Sequence, residues 1–151
     1  MKRVRVVNDG ETLRVGPLAL TAHLTPGHTP GSTTWTWRSC EGKRCLDLVY
    51  ADSLTSVSSD DFRFSDPAHP ALADTFRRSI ATVEQLPCDI IISVHPGFTD
   101  LDGKLARRAQ THGGDDPMID PNGCRAYAAD ARQRLDARLA REQYANDPPA
   151  H

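Results

Sequence analysis

Three loops that follow predicted strands carry side chains able to hold a metal. His28 stands between two Pro-Gly pairs in Pro26-Gly27-His28-Thr29-Pro30-Gly31. Proline fixes φ and glycine admits sharp turns, so the imidazole has little freedom to wander. His95 follows the run Ile90-Ile91-Ile92-Ser93-Val94 and precedes Pro96 and Gly97, while Asp52 and Ser53 follow an apolar run at 46–51. In open α/β folds the loops leaving strand ends line the crevice in which ligands bind, so two imidazoles and one carboxylate could converge there on a metal. Spacing alone leaves a plainer alternative standing, in which each loop histidine is solvated or simply hydrogen-bonded. Ser53 has no neighbouring base in sequence and is not read as a nucleophile.

The elements that must position these loops are legible from turn residues and periodicity. Residues 4–7 and 13–15 flank Asn8-Asp9-Gly10 and read as a hairpin. A further strand covers 18–24, where Leu18, Leu20, Ala22 and Leu24 alternate with Ala19, Thr21 and His23, so that one face can pack a core. Residues 32–38 alternate again and carry Trp35 and Trp37, then a turn at 40–45 leads to a strand at 46–51. Residues 52–70 are polar and irregular. Leu72, Phe76, Ile80 and Val83 fall on one stripe of a helix that ends near Leu86 and Pro87. Three consecutive isoleucines within 89–94 mark a strand covered on both faces. A short basic helix at 103–110, a Gly/Asp/Pro-rich linker at 113–123 and a helix at 124–142 with Tyr127, Ala131, Leu135 and Leu139 at intervals of four complete the chain. A buried interior strand directly after a helix implies a layered α/β arrangement. Residues 1–145 are expected to form a single domain, with 146–151 a frayed tail.

Composition excludes some classes of partner. The chain has 151 residues, 25% charged, with a net charge of -2. Such a balance gives no basic footprint for a nucleic acid. No apolar stretch reaches the roughly 20 residues of a membrane span, and residues 1–7 lack the apolar run of a signal peptide. Leu, Ile, Val and Phe together number only 30, with 17 alanines beside them. The core is thin for this length, which points to a missing burial partner.

Four cysteines argue for an oxidising compartment. Cys40 and Cys45 sit at the two ends of a Glu-Gly-Lys-Arg turn, where a hairpin can bring them within disulfide reach, leaving Cys88 and Cys124 to pair. A zinc knuckle is disfavoured because no C-x2-C spacing occurs, while four buried thiols remain the competing reading. Trp35 and Trp37 are read as sheet packing. His23, His69, His112 and His151 are read as surface or structural, and Arg132, Arg134, Arg138 and Arg141 as a solvated helix face interspersed with Asp130, Asp136 and Glu142. Phe98 and residues 100–102 follow His95 and could rim a site.

The segments Pro26-Gly27-His28-Thr29-Pro30-Gly31-Ser32-Thr33, Tyr50-Ala51-Asp52-Ser53-Leu54 and Val94-His95-Pro96-Gly97 together resemble the C-terminal half of a class B metallo-β-lactamase of the third subclass. The likeness extends over nearly the whole chain, including 32–37, 62–66, 86–89 and 123–127. It implies half of an αββα sandwich, an α/β (α+β) arrangement with a mixed sheet and helices on one face. It also implies a β-lactam hydrolase with two zinc ions, in which a hydroxide generated on zinc, and not a side chain, attacks the lactam carbonyl. By this resemblance His28 corresponds to the third histidine of the first zinc site and His95 to the histidine of the second. Ser53 occupies the position of a metal-binding cysteine in the first subclass, and a serine there is not a ligand. Ser53 and Thr55 would hold water or the substrate carboxylate, and Asp52, a bridging ligand in glyoxalase-type relatives, would stand behind the ligands. The cysteine pairs Cys40 with Cys45 and Cys88 with Cys124 match disulfides of the subclass, and the resemblance implies a periplasmic or secreted setting.

One departure bears on activity. The remaining ligands of the family come from a His-x-His-x-Asp-His motif in its N-terminal half, and this sequence contains no His-x-His. The chain begins roughly where the second half of the sandwich begins. Catalytic zinc needs three protein ligands and an open position, whereas each site here keeps one. The expectation is a chain inactive until the missing half docks. The alternatives are another hydrolase of this fold acting on a lactone or thioester, which a bridging Asp52 would favour, and a non-enzymatic fragment.

Overall fold

The computed structural model describes residues 5–59, 61–111 and 113–146. Its five strands are β1 (Thr12–Val15), β2 (Leu18–Leu24), β3 (Thr33–Glu41), β4 (Arg44–Ala51) and β5 (Ile90–Ser93), joined in one sheet in that order. The first four run antiparallel, and β5 lies parallel to β4. Helix α1 (Leu72–Gln85) supplies the crossover between them, as a parallel pair requires. After β5 come a 3₁₀ turn (Pro96–Thr99), α2 (Leu101–Gln110) and α3 (Gly123–Asn146).

The first hairpin differs from the sequence expectation. β1 pairs with β2, not with residues 5–7, which form no strand; Val4 lies outside the described residues. Gly16 takes φ +58° and Pro17 follows it, the combination of a type II′ turn, whose twist matches the flanking strands. Asn8-Asp9-Gly10 turns the chain onto the same edge instead. Gly10 donates to the Ala22 carbonyl at 2.8 Å, and the Asp9 carboxylate accepts from the Leu24 N–H at 2.8 Å.

Alternation assigns the two sheet faces. Val49, Ala51 and Ile91 point toward α1 and α3 and are buried with Phe76, Ile80, Val83, Ala128, Ala131 and Leu135. Burial of each large member contributes about 1.5–3 kcal/mol. The opposite face carries the row Ala22, Trp35, Tyr50, Ile92 and the row Trp37, Leu48, Ile90, in register across β2 to β5. Leu13 and Leu20, paired across β1 and β2, share it. Asp116, Met118, Ile119 and Arg108 border its β4–β5 edge beside Leu46, Leu48, Ile90 and Ile92. Tyr50 is 40%, Leu18 41% and Leu24 42% exposed.

Two expectations are corrected here. The face of β2 bearing Leu18, Leu20, Ala22 and Leu24 is turned away from the helices. β5 is an edge strand, with Ile91 buried but Ile90 and Ile92 only half-covered. Three isoleucines in a row specify two apolar faces, and α1 and α3 cover one of them.

Both disulfides form, Cys40 with Cys45 and Cys88 with Cys124. The first joins directly opposed residues of β3 and β4. The second ties the approach to β5 to the first turn of α3, where Gly123 fits because a Cβ would stand 2.8 Å from an Ile91 methyl. Residues 147–151 of the expected tail lie outside the described residues.

Candidate metal centre

His28 is held from two sides by α1. Ser79 Oγ donates to the Pro26 carbonyl at 2.6 Å, and Gly27, at φ +150°, lies so close to the Phe76 ring that a Cβ would stand 2.6 Å from it. On the far side of the loop, Thr29 N–H donates to Ser32 Oγ at 3.2 Å and Thr25 N–H to the Ser32 carbonyl at 2.9 Å. The two Pro-Gly pairs thus become a tight reversal fixed at both ends, with His28 at its tip.

The ring is oriented as well as placed. His28 Nδ1 lies 3.0 Å from the Thr55 carbonyl oxygen and 3.2 Å from Thr55 Oγ1. A carbonyl can only accept, so Nδ1 carries a proton, which in the neutral ring puts the lone pair on Nε2. A second partner that fixes the tautomer in this way accompanies metal-ligating histidines as a rule. His95 enters from the end of β5, its backbone N–H donating to Ser93 Oγ at 3.2 Å. Its ring centroid is 5.9 Å from that of His28, nearly perpendicular to it. Among the described residues neither ring nitrogen of His95 has a hydrogen-bond partner.

The two imidazoles, with Thr55, Val57, Gly97 and Phe98, line an open cavity of about 330 Å³. Phe98 meets His95 edge to face at 5.7 Å, and the Arg134 guanidinium lies 4.3 Å from its ring centroid. Val57 is 71% exposed, an apolar rim beside two basic rings.

Other residues singled out in the sequence stand behind this cavity. Ser53 is 1% exposed, with Oγ 2.8 Å from Thr55 Oγ1, and does not line it. Asp52 is engaged through both oxygens: Oδ2 accepts from the Thr33 N–H at 2.9 Å and Oδ1 from the Ser53 N–H at 2.6 Å. It ties the end of β4 to the start of β3. His28, His95 and Asp52 therefore do not meet, and among the described residues no group of three or more His, Cys, Asp or Glu is placed to hold a metal ion. Two imidazoles lining one cavity, that of His28 oriented through Nδ1, fit a share of a zinc centre, short of the three protein ligands of a catalytic one.

Residues 100–102 do not rim the cavity, since Asp100 turns back to Arg107 at 2.9 Å. His23 pairs with Thr36 at 2.9 Å, His69 stacks on Phe62, and His112 and His151 lie outside the described residues. The helix-face reading of Arg138 and Glu142 is corrected. Glu142 is buried, accepts from the backbone N–H groups of Phe64 at 3.2 Å and Ser65 at 2.9 Å, and pairs with Arg138 Nε at 2.6 Å. Arg138 also donates to the Phe62 carbonyl at 2.7 Å. Burial would raise the Glu142 pKa, but Arg138 and the Ser65 and Phe64 donors outweigh it and hold the carboxyl below its usual range. The pair latches the loop that follows Thr55 onto α3. Like-sign and opposite-sign charges on a helix carry no hint of a loop that returns to them.

The sequence matches no family model. Among solved structures, the Rm3 metallo-beta-lactamase is similar at 49% identity with a TM-score of 0.86, over 92% of this chain and 51% of its own. SMB-1, a metallo-beta-lactamase solved with bound 2-mercaptoethanesulfonate, is similar at 49% identity and TM-score 0.86, over 93% of this chain and 53% of its own. MEM-A1, a subclass B3 metallo-beta-lactamase from a soil metagenome library, is similar at 46% identity and TM-score 0.85, over 92% and 52%. The chain spans about half the length of the solved relatives it matches. Among the described residues no helix is long and apolar enough to cross a membrane.

Proposed function

We propose that this chain, which is similar in sequence and fold to about half of the length of metallo-β-lactamases including one of subclass B3, supplies His28 and His95 to a zinc-dependent β-lactam hydrolase whose other ligands come from a second half. The observation that carries the reading is the convergence of the two imidazoles in one cavity, with His28 Nδ1 fixed by the Thr55 carbonyl. His28 would ligate through Nε2. His95 would serve as the donor of an adjacent site, consistent with two zinc ions in the complete enzyme. When bound, zinc supplies Lewis acidity, lowering the pKa of water toward neutrality and polarising a carbonyl.

This chain's own residues do the rest of the positioning. Thr55 holds the His28 proton at Nδ1, Ser53 holds Thr55, and Phe98 with Val57 lends the open cavity an apolar side. Among the described residues no side chain of the cavity is placed as a nucleophile. Asp52, with both oxygens on backbone N–H groups, stands behind the ligands, which speaks against the lactone or thioester alternative that needs it as a bridge.

The second half would seat on the apolar sheet face. Leu18, Leu20, Trp35, Trp37, Leu48, Tyr50, Ile90 and Ile92 make a contiguous surface too apolar for a solvent-facing side of a sheet. A sheet from the missing half, of about this chain's length, fits both the face and the share of each relative left unmatched. Two disulfides suit a periplasmic or secreted setting.

The test is hydrolysis of a carbapenem, with zinc in excess, by this chain mixed with a separately expressed N-terminal half of a relative, against each part alone. Activity only in the mixture is expected. Silence from folded, associated halves would sink the reading, and turnover by this chain alone would overturn the ligand count.

A further inference from the structure

The phenol of Tyr127 sits where the loop that orients His28 leaves β4 and the loop that bears His95 leaves β5. Tyr127 is 4% exposed, and its hydroxyl donates to the Asp52 carbonyl at 2.9 Å while accepting from the Leu54 N–H at 3.2 Å and from Ser93 Oγ at 3.2 Å. A phenolic oxygen has one proton and two lone pairs, so every hydrogen bond it can make is made. Ala51 and Ser93 are the last paired residues of β4 and β5. Beyond them the strands part, and no further ladder bond fixes one loop against the other apart from Val94 N–H to the Ala51 carbonyl.

From this oxygen one short path runs to each histidine. Ser93 Oγ, donating to Tyr127, accepts from the His95 backbone N–H at 3.2 Å. On the other branch, Tyr127 fixes Asp52 and Leu54 on either side of Ser53, whose Oγ accepts from the Thr55 N–H at 3.3 Å, and the Thr55 carbonyl holds His28 Nδ1. Every link is buried or half-buried, where such bonds are least exchanged for water. The ring itself belongs to the core with Ala128, Ala131 and Leu135. A phenylalanine would fill the same space, so packing does not account for the hydroxyl.

We infer that Tyr127 is a positioning residue that sets the spacing and ring orientation of His28 and His95 for metal binding. The inference rests on the zinc reading above for its purpose, though not for its geometry. Removal of the hydroxyl leaves Asp52, Leu54 and Ser93 to find other partners, and the two loops lose their common reference. Loss of such supporting partners costs about 10- to 100-fold in metal affinity.

The experiment compares the chain with Tyr127→Phe, Ser93→Ala and, as a packing control away from the network, Ile80→Val. Two quantities are read: the ring nitrogen NMR shifts of His28 and His95 without metal, and the zinc dissociation constant by titration. Thermal unfolding confirms that each variant is folded. Tyr127→Phe is expected to move both histidines' signals, with loss of the pure Nδ1–H form of His28, and to weaken zinc binding about ten-fold or more. Ser93→Ala is expected to move His95 and spare His28, a split that general loosening cannot give. Unchanged histidine signals in folded Tyr127→Phe, or equal shifts in Ile80→Val, overturn the inference. Zinc binding by the parent chain that Tyr127→Phe leaves intact also overturns it while sparing the zinc reading. Shifts as expected in a parent chain that binds no zinc by itself uphold the positioning role, and absence of zinc binding by that chain mixed with the second half would remove the zinc reading instead. Should Tyr127→Phe not fold, the Ser93→Ala split decides alone.

Discussion

The Nδ1 of His28 lies 3.0 Å from the backbone carbonyl of Thr55, so a loop that precedes β3 is held by the loop that leaves β4. The bond commits Nε2 to the cavity. Replacement of His28 by alanine removes one of two converging donors, and replacement of His95 removes the other. Each is expected to lower the zinc affinity of the chain paired with its second half by at least two orders of magnitude, since the site concerned would lose the one ligand this chain gives it. Thr55→Val, which keeps the carbonyl and loses the hydroxyl contacts to His28 Nδ1 at 3.2 Å and to Ser53 Oγ at 2.8 Å, is expected to cost less than ten-fold. Calorimetric zinc titration of the three variants ranks them, and a Thr55→Val loss as large as that of His28→Ala would remove the carbonyl from its assigned role.

Gly27 lies close against the Phe76 ring of α1. An alanine there combines φ +150°, which L residues avoid, with a Cβ at 2.6 Å from the Phe76 ring. Strain of about 1–3 kcal/mol and overpacking of similar size lead to an expected loss of roughly 2–5 kcal/mol in urea unfolding. Phe76→Leu in the same chain shortens the obstacle. The cost of Gly27→Ala should therefore be smaller in the Phe76→Leu background than in the parent, and equal costs would show that the ring is not what excludes the side chain.

The sequence displays some of these relationships and conceals others for physical reasons. The α1 stripe of Phe76, Ile80 and Val83 and the alternation of β2 through β4 are local periodicities, and the Cys40–Cys45 pair follows from a two-ended turn. His28 and His95 stand in loops made conspicuous by proline and glycine. Their approach to 5.9 Å depends on a parallel β4–β5 pairing across a 14-residue helix, which no local pattern encodes. Tyr127 reads as one more apolar residue of α3 because periodicity sees its ring and not its hydroxyl. A buried tyrosine nonetheless needs a partner for that hydroxyl, and this was the available signal. The isoleucine run makes both faces of β5 apolar, but α1 and α3 cover only one, so the expectation of a strand covered on both faces failed there.

The latch between α3 and the loop at 58–66 should respond to acid. Glu142 has a pKa below its usual value in the folded chain, where burial is outweighed by Arg138 and two backbone donors. A depressed carboxyl stabilises the fold fully above its unfolded value, near 4.5, and that contribution is lost as pH falls through the lower folded value. Tyr127 works at the other end of the scale. Burial raises its pKa above 10.0, against smaller opposing effects from Ser93 and Leu54, so its contribution is complete below that pH and disappears as pH rises through the folded value. Glu142→Gln is expected to cost about 1–3 kcal/mol at pH 7 and to flatten the acid limb of the stability profile. Denaturation midpoints between pH 2.5 and 7 would show the limb unchanged in the variant if another carboxylate were responsible.

Reduction should act unequally on the two disulfides. Cys88–Cys124 closes a sequence separation of 36, and Cys40–Cys45 one of 5. Loop-closure entropy then assigns about 4 kcal/mol to the former and roughly 2 kcal/mol to the latter. The longer link also anchors the first turn of α3, four residues before Tyr127 counted from Gly123. Cys88→Ser with Cys124→Ser is expected to lower the unfolding midpoint more than Cys40→Ser with Cys45→Ser, and to weaken zinc binding as well. The reverse order would mean that the β3–β4 hairpin, and not the α3 anchor, limits stability.

The two faces of the sheet should answer oppositely to charge. Leu18 and Leu24 are about two-fifths exposed on the face away from the helices, whereas Ile91 is 2% exposed beneath α1 and α3. A lysine at Leu18 or Leu24 can reach water, so the isolated chain should keep its stability to within about 0.5 kcal/mol. A lysine at Ile91 has no such exit and should unfold it. If a second half seats on the apolar face, the paired Leu18→Lys and Leu24→Lys change should also reduce binding of hydrophobic dye by the isolated chain and weaken association with that half at least ten-fold, because a buried, unpaired ammonium is costly to desolvate. Dye fluorescence and sedimentation of the mixed halves measure both effects on one sample. Undiminished association by the doubly charged chain would place the partner elsewhere on the molecule, and with it the source of the remaining zinc ligands.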